Sequence, residues 1–186
     1  MSGRYVLLDR DGTINEEVAH LADPDEVRLI PGSVDAMREL RELGLGIVIV
    51  TNQANVGRGL LPTEQLERVH ARLLELLRVG GVHIEGIEVC PHRPEDACDC
   101  RKPKPGMALR AAETYGFELA EAFVVGDHAG DMGLGRAVGA TTILVRTGHG
   151  EEELANGAGA DADAVVADLR EAADVIREHV LSGAAR

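Results

Sequence analysis

With 186 residues, 45% of them hydrophobic and 27% charged, the chain has an ordinary globular composition, long enough to bury one sizeable core, and reads as a single domain over residues 1–186. The formal net charge of −13 excludes the basic footprint of a nucleic-acid binder. No stretch approaches the roughly 18 apolar residues of a membrane span, and the N-terminus lacks the design of a signal peptide, so a cytoplasmic protein is expected.

Aromatic residues make up only 2% of the chain and Trp is absent, so the core must be built from Val, Leu, Ile and Ala. That suits a parallel sheet covered by helices. The first apolar run, Tyr5 to Leu8, stops on Asp9, and Asp11 follows before Gly12-Thr13. Residues two apart in extended chain point the same way, so both carboxylates can face one space beyond a strand end. Two carboxylates that close repel unless a positive charge lies between them, which reads as half of a divalent metal site. An EF-hand is excluded, because Ile14 and His20 stand where its loop needs Gly and Glu.

Residues 10–32 read as irregular. Ser33 is expected to cap a helix over Val34–Leu43, ended by Gly44. Leu45–Val50 is a strand closing on Thr51-Asn52-Gln53. Residues 54–62 read as a Gly-rich loop with Arg58, and a long helix over Thr63–Val79 carries the stripe Leu66, Val69, Leu73, Leu76 and Leu77. His83–Cys90 reads as the third strand. Pro105-Gly106 opens a helix to Tyr115, and Ala122–Gly126 is a strand ending on Asp127. Asp131 is expected to begin the next helix, either as a plain N-cap or as a fourth acid of the site. Thr141–Val145 is the fifth strand, 148–160 a connection, Asp163–Val166 a last short strand and Leu169–Leu181 the terminal helix. The Gly133-x-Gly135 pair lacks the third glycine of a dinucleotide loop. Strands alternating with helices make the class α/β with a mainly parallel sheet and no room for a separate cap domain.

The strand ends then fall on one edge: Asp9 and Asp11, Thr51 and Asn52, Arg101 and Lys102, Asp127 and Asp131. Acids beside a hydroxyl, an amide and two cations can hold Mg²⁺ and a phosphate together. Among 19 basic residues only two are lysine, Lys102 and Lys104, which points to a task that Arg cannot perform. Just before them stands Cys90-x-His92-x5-Cys98-x-Cys100. Three thiolates and one imidazole form the closed tetrahedral shell of structural Zn²⁺, and a clustered odd number of cysteines argues against a disulfide framework.

Asp9-Arg10-Asp11-Gly12-Thr13, Thr51-Asn52, Lys102 and Gly126-Asp127-x3-Asp131 resemble, in order, the four motifs of haloacid-dehalogenase (HAD) superfamily phosphatases. The likeness covers essentially the whole chain. Thr51-Asn52-Gln53, the Cys-Pro-His loop and Cys-Arg-Lys-Pro-x-Pro-Gly look like the zinc-containing, nearly capless branch. Arg58-Gly59, Pro103-x-Pro105-Gly106-Met107 and Val145-Arg146-Thr147-Gly148 look more like its members acting on a heptose bisphosphate than those acting on histidinol phosphate. The resemblance implies a three-layer Rossmann-like fold with a minimal cap and a zinc-stapled loop. It implies a monomer acting on a small phosphorylated sugar, without nucleic acid or membrane.

It also implies roles. Asp9 would be nucleophile, and Asp11 acid and base. Mg²⁺ would lie on Asp9, Asp11 and Asp127, with Asp131 supporting it. Thr51 and Lys102 would hold the phosphoryl group, with Asn52, Gln53 and Arg101 orienting substrate. Glu17, His20 and His128 are candidates for touching the sugar. The chain departs from the branch's usual residues at His20, where an aromatic is common, and at His128, where Lys is common. Two other classes fit the acids: a receiver-type phospho-acceptor, opposed by Asp9 lying after the first strand, and an idle zinc-stapled binding protein, opposed by the intact acid set.

Overall fold

A computed structural model describes residues 4–183. Strands β1 (Tyr5–Leu8), β2 (Gly46–Asn52), β3 (Gly86–Cys90), β4 (Phe123–Gly126), β5 (Thr141–Val145) and β6 (Ala164–Val166) form one sheet in the order β3-β2-β1-β4-β5-β6. All five pairings are parallel. The order reverses between β1 and β4, the topological switch point at which open α/β sheets bind ligands.

The helices are α1 (Ser33–Glu42), α2 (Ala54–Gly57), α3 (Thr63–Val79), α4 (Gly106–Tyr115), α5 (Ala129–Val138), α6 (Gly150–Ala155) and α7 (Leu169–Gly183). Strand residues alternate between two cores, as the period of a strand requires. Val6, Leu8, Ile47, Ile49, Phe123 and Val125 pack with α1, α3 and α7 on one face. Leu7, Val48, Val50 and Val124 pack with Met107, Ala108 and Ala111 of α4 and Leu134 of α5 on the other. Each fully buried Leu, Val or Ile contributes about 1.5–3 kcal/mol, so the three layers hold without aromatic bulk. Among the described residues no helix is long and apolar enough to cross a membrane.

Several local expectations are corrected. Ser33 is the first helical residue, not the cap: Gly32, at φ 87°, turns the chain and its carbonyl accepts from Ala36 N–H. The segments expected as loops at 54–62 and 148–160 contain α2 and α6, and residues 10–32 contain a 3₁₀ turn at Pro24–Glu26. The strand expected over His83–Cys90 is confined to Gly86–Cys90, because pairing with β2 begins at Val48↔Gly86. The terminal helix runs to Gly183 rather than Leu181. Helix α5 begins at Ala129, two residues before Asp131, because His128 caps it.

Candidate active site

At the switch point the backbone N–H of Asp9 donates to Val125 O at 2.9 Å, locking the end of β1 against β4. Gly12, at φ 74°, lies against Gly148 and Asp127; a Cβ there would stand 2.0 Å from Asp127 Oδ2, so only glycine lets these loops close. Asp127 Oδ2 accepts from His149 N–H at 2.8 Å, and Thr147 Oγ1 donates to Gly12 O at 2.6 Å.

Lys102 sits beneath the acids, 6% exposed. Its ammonium lies 2.9 Å from Asp9 Oδ1 and 2.6 Å from Asp131 Oδ1, and donates to Val50 O at 2.8 Å. An ammonium has three N–H donors, and three acceptors surround this one. Asn52 holds the lysine by its backbone: Oδ1 accepts from Lys102 N–H at 3.1 Å and Nδ2 donates to Lys102 O at 3.3 Å. Lys104, the other lysine, is on the surface, 3.6 Å from Asp99.

Asp9, Asp127 and Asp131 each offer an oxygen within 4.8 Å of the others. Burial and the neighbouring Asp131 charge push Asp9 up to about 7, against the pull of Lys102. Burial and Asp9 push Asp127 up to about 7 as well. Burial opposes the charge of Lys102, but Asp131 and Asp9 hold the ammonium well above its usual range. Three buried carboxylates sharing one cation are short of positive charge, and an all-oxygen donor set of this kind fits Mg²⁺.

Asp11 is held differently. Oδ1 accepts from Arg10 Nε at 3.0 Å and Asn15 Nδ2 at 2.9 Å; Oδ2 accepts from Arg10 Nη2 at 2.6 Å and Gln53 Nε2 at 2.9 Å. The same Gln53 amide donates to Thr51 Oγ1 at 2.9 Å. Burial disfavours the charge of Asp11, but Arg10, Asn15 and Gln53 together hold it below the usual carboxylate range.

Apart from Lys104, the non-zinc residues singled out for chemistry line one cavity of about 270 Å³: the acids, Thr51-Asn52-Gln53, Arg101-Lys102, Glu17, His20 and His128. His20, in an exposed turn at φ 61°, is among the lining residues. Arg101 has a buried Nη1 without a hydrogen-bond partner among the described residues. His128 also has local work: Nδ1 accepts from Gly130 N–H at 3.1 Å and Nε2 lies 3.1 Å from Glu153. Asp131 is the third residue of α5 and accepts from His128 N–H at 3.2 Å, so it joins the cap from within the helix instead of starting it. Sequence reasoning missed Arg10, Asn15 and His149. The strand-end rule extended to β5 would have found the last.

Cys90, His92, Cys98 and Cys100 lie apart from this cavity. The sulfurs are 3.3, 3.5 and 3.6 Å apart, and His92 Nδ1 is 3.2 Å from Cys100 Sγ and 3.7 Å from Cys90 Sγ. A tetrahedron with zinc–sulfur bonds near 2.3 Å has edges of about 3.8 Å. The cluster is compatible with a structural zinc.

A parallel sheet in this order, with paired aspartates after its first strand and an acid after the strand beside it, defines a HAD-like hydrolase, and the chain belongs to that family. A HAD-hydrolase-like family model matches residues 99–172. The chain is 44% identical, over 83% of its length and 89% of the relative's, to the D-glycero-beta-D-manno-heptose-1,7-bisphosphate 7-phosphatase of Pseudomonas putida. The Bordetella bronchiseptica protein of that name is 37% identical over 92% of this chain and 96% of its own. The crystal structure of D,D-heptose 1,7-bisphosphate phosphatase from B. bronchiseptica, complexed with magnesium and phosphate, superposes with TM-score 0.89 at 35% identity, covering 95% of this chain and 99% of that one.

Proposed function

We propose that the chain is a Mg²⁺-dependent phosphatase that removes the C7 phosphate of D-glycero-D-manno-heptose 1,7-bisphosphate, a step toward nucleotide-activated heptose. The observation that carries this reading is the buried cluster of Asp9, Asp127 and Asp131, two of which grip Lys102, in a chain 44% identical to an enzyme of that name.

Asp9, held by Lys102 and the end of β4, attacks phosphorus in line; a carboxylate–phosphorus bond forms and the bond to the C7 oxygen breaks. Asp11 delivers a proton to that oxygen, then takes one from the water that hydrolyses the aspartyl-phosphate. Its carboxylate rests ionised, so the proton is acquired as the substrate's negative charge arrives beside it. The carboxylates of Asp9 and Asp127 and the carbonyl of Asp11 would hold Mg²⁺, with Asp131 in support, and the ion would supply the positive charge that lets two anions meet. Thr51 and Lys102 hold phosphoryl oxygens. Asn52 and Gln53 fix those groups, and Arg101 with its unpartnered Nη1 suits an anionic substrate. Glu17, His20 and His128 line the part of the cavity left for sugar. Cys90, His92, Cys98 and Cys100 would hold a structural Zn²⁺ that fixes the loop ending at Arg101-Lys102.

The same reading has a cytoplasmic monomer acting on a small molecule, and a net charge of −13 supports the absence of nucleic-acid partners. The test is phosphate release from both anomers of the heptose bisphosphate, histidinol phosphate and simple sugar phosphates. The expected result is a Mg²⁺-dependent kcat/KM highest for the β anomer. A preference for histidinol phosphate would overturn the substrate assignment.

A further inference from the structure

The acid beside the nucleophile is not held by its own loop alone. Arg10 is 1% exposed, and its guanidinium faces two ways. Nε and Nη2 grip both oxygens of Asp11, while Nη1 lies 2.9 Å from Nε2 of His70, sixty residues away in the chain on α3. Arginine only donates, so His70 Nε2 accepts, and the imidazole is the neutral tautomer with its hydrogen on Nδ1. Burial and the adjacent guanidinium keep it neutral, with its proton affinity lowered to about 4. His70 lies on the core-facing side of α3, four residues after Leu66 and three before Leu73, both packed in the core. The imidazole is therefore carried by a helix whose phase is fixed by packing.

We propose that His70 is a positioning residue for the phosphatase reaction, acting through Arg10 to hold the Asp11 carboxylate in its catalytic orientation. The inference rests on the acid–base role of Asp11 given above. A bidentate guanidinium sets the plane of the carboxylate it grips. The guanidinium in turn needs a partner for its far nitrogen, because a buried donor left unpaired tilts toward any other acceptor. Without His70 the fork can rotate about Asp11, and the carboxylate loses its aim at the leaving oxygen.

Leaving-group dependence separates this role from general support of the fold. An alkyl sugar phosphate needs a proton on its departing oxygen; p-nitrophenyl phosphate leaves as a stable phenolate and needs none. Because kcat/KM reports steps through formation of the aspartyl-phosphate, H70L is expected to lower it about tenfold on heptose bisphosphate. On p-nitrophenyl phosphate the same variant should lose less than about twofold, well below that tenfold loss. H70Q, which restores an acceptor, should recover most of the loss. D11N should show the same asymmetry on a larger scale, about 10²–10⁴-fold. Equal losses on both substrates with H70L, or no loss on either while D11N keeps its asymmetry, would overturn the role of His70 and leave Asp11 standing. An even loss with D11N would overturn both. Should H70L fail to fold, H70N, too short to reach Arg10, carries the same expectations.

Discussion

Two clusters of side chains that could each hold a metal stand on one sheet and are built in opposite ways. The cysteine cluster comes from a single run, residues 90–100, whose ligands would meet almost wherever that loop was placed. The acid cluster is collected from the ends of β1 and β4, the first turn of α5 and the loop before α4, and it exists only while the sheet holds its order. The first is local and separable, the second a property of the whole fold. A local cluster can therefore tune a function, whereas a distributed one defines it.

The sharpest way to break the distributed cluster is at its centre. Asp9→Asn, which removes the proposed nucleophile while keeping its volume, is expected to lower kcat by at least about 10⁴-fold. Retained activity would move the nucleophile elsewhere. K102R keeps the positive charge, but a planar fork cannot meet three acceptors arranged around one nitrogen, and a loss of about 10²–10³-fold is expected. An active K102R would mean that charge alone suffices.

Breaking the local cluster should do less. One zinc per chain is expected by metal analysis. C98S should lose that zinc and about tenfold in kcat through misplacement of Arg101, with the far-ultraviolet spectrum of the sheet retained. Absence of zinc from the native protein, or full activity without it, would remove the staple from the account.

The smallest effect is on stability. Asp9 and Asp127 bind protons more tightly folded, at about 7, than unfolded, at 3.8. The metal-free protein therefore loses stability as pH rises from about 4 to 7. Asp131 and Glu17, also raised by burial, add to that loss, whereas His70, lowered to about 4 from 6.5, adds stability as pH rises between those values and offsets part of it; Asp11 and Lys102 shift in directions that act outside this window. Between pH 5 and 7.5, Tm is expected to fall by at least about 2–4 °C, the shift that one kcal/mol produces at this size. Added Mg²⁺ should raise Tm more at pH 7.5 than at pH 5. A flat or rising Tm without metal would mean that the acids are neutralised some other way.

The same contrast explains what could be read from the sequence. The cysteine run was legible because its spacing is local. The acids were legible because each apolar run stops at a polar residue, which turns the one edge of a parallel sheet into a list of positions. Helices α2 and α6 were missed because four and six residues carry too little periodicity. The extent of β3 was overdrawn because Ile84 is buried without belonging to the ladder. The Arg10–His70 contact joins two helix and loop phases that no spacing rule links. A signal did exist: His70 falls at a core position on the stripe of α3, where a polar ring needs a partner.

Gln53 gives the last consequence. Its one amide group donates to both Thr51 Oγ1 and Asp11 Oδ2 at 2.9 Å. The hydroxyl that would greet the phosphate and the carboxyl that would protonate the leaving group thus share a single hinge. Displacing either acceptor would disturb the hydrogen bond to the other, because both depend on the same side chain.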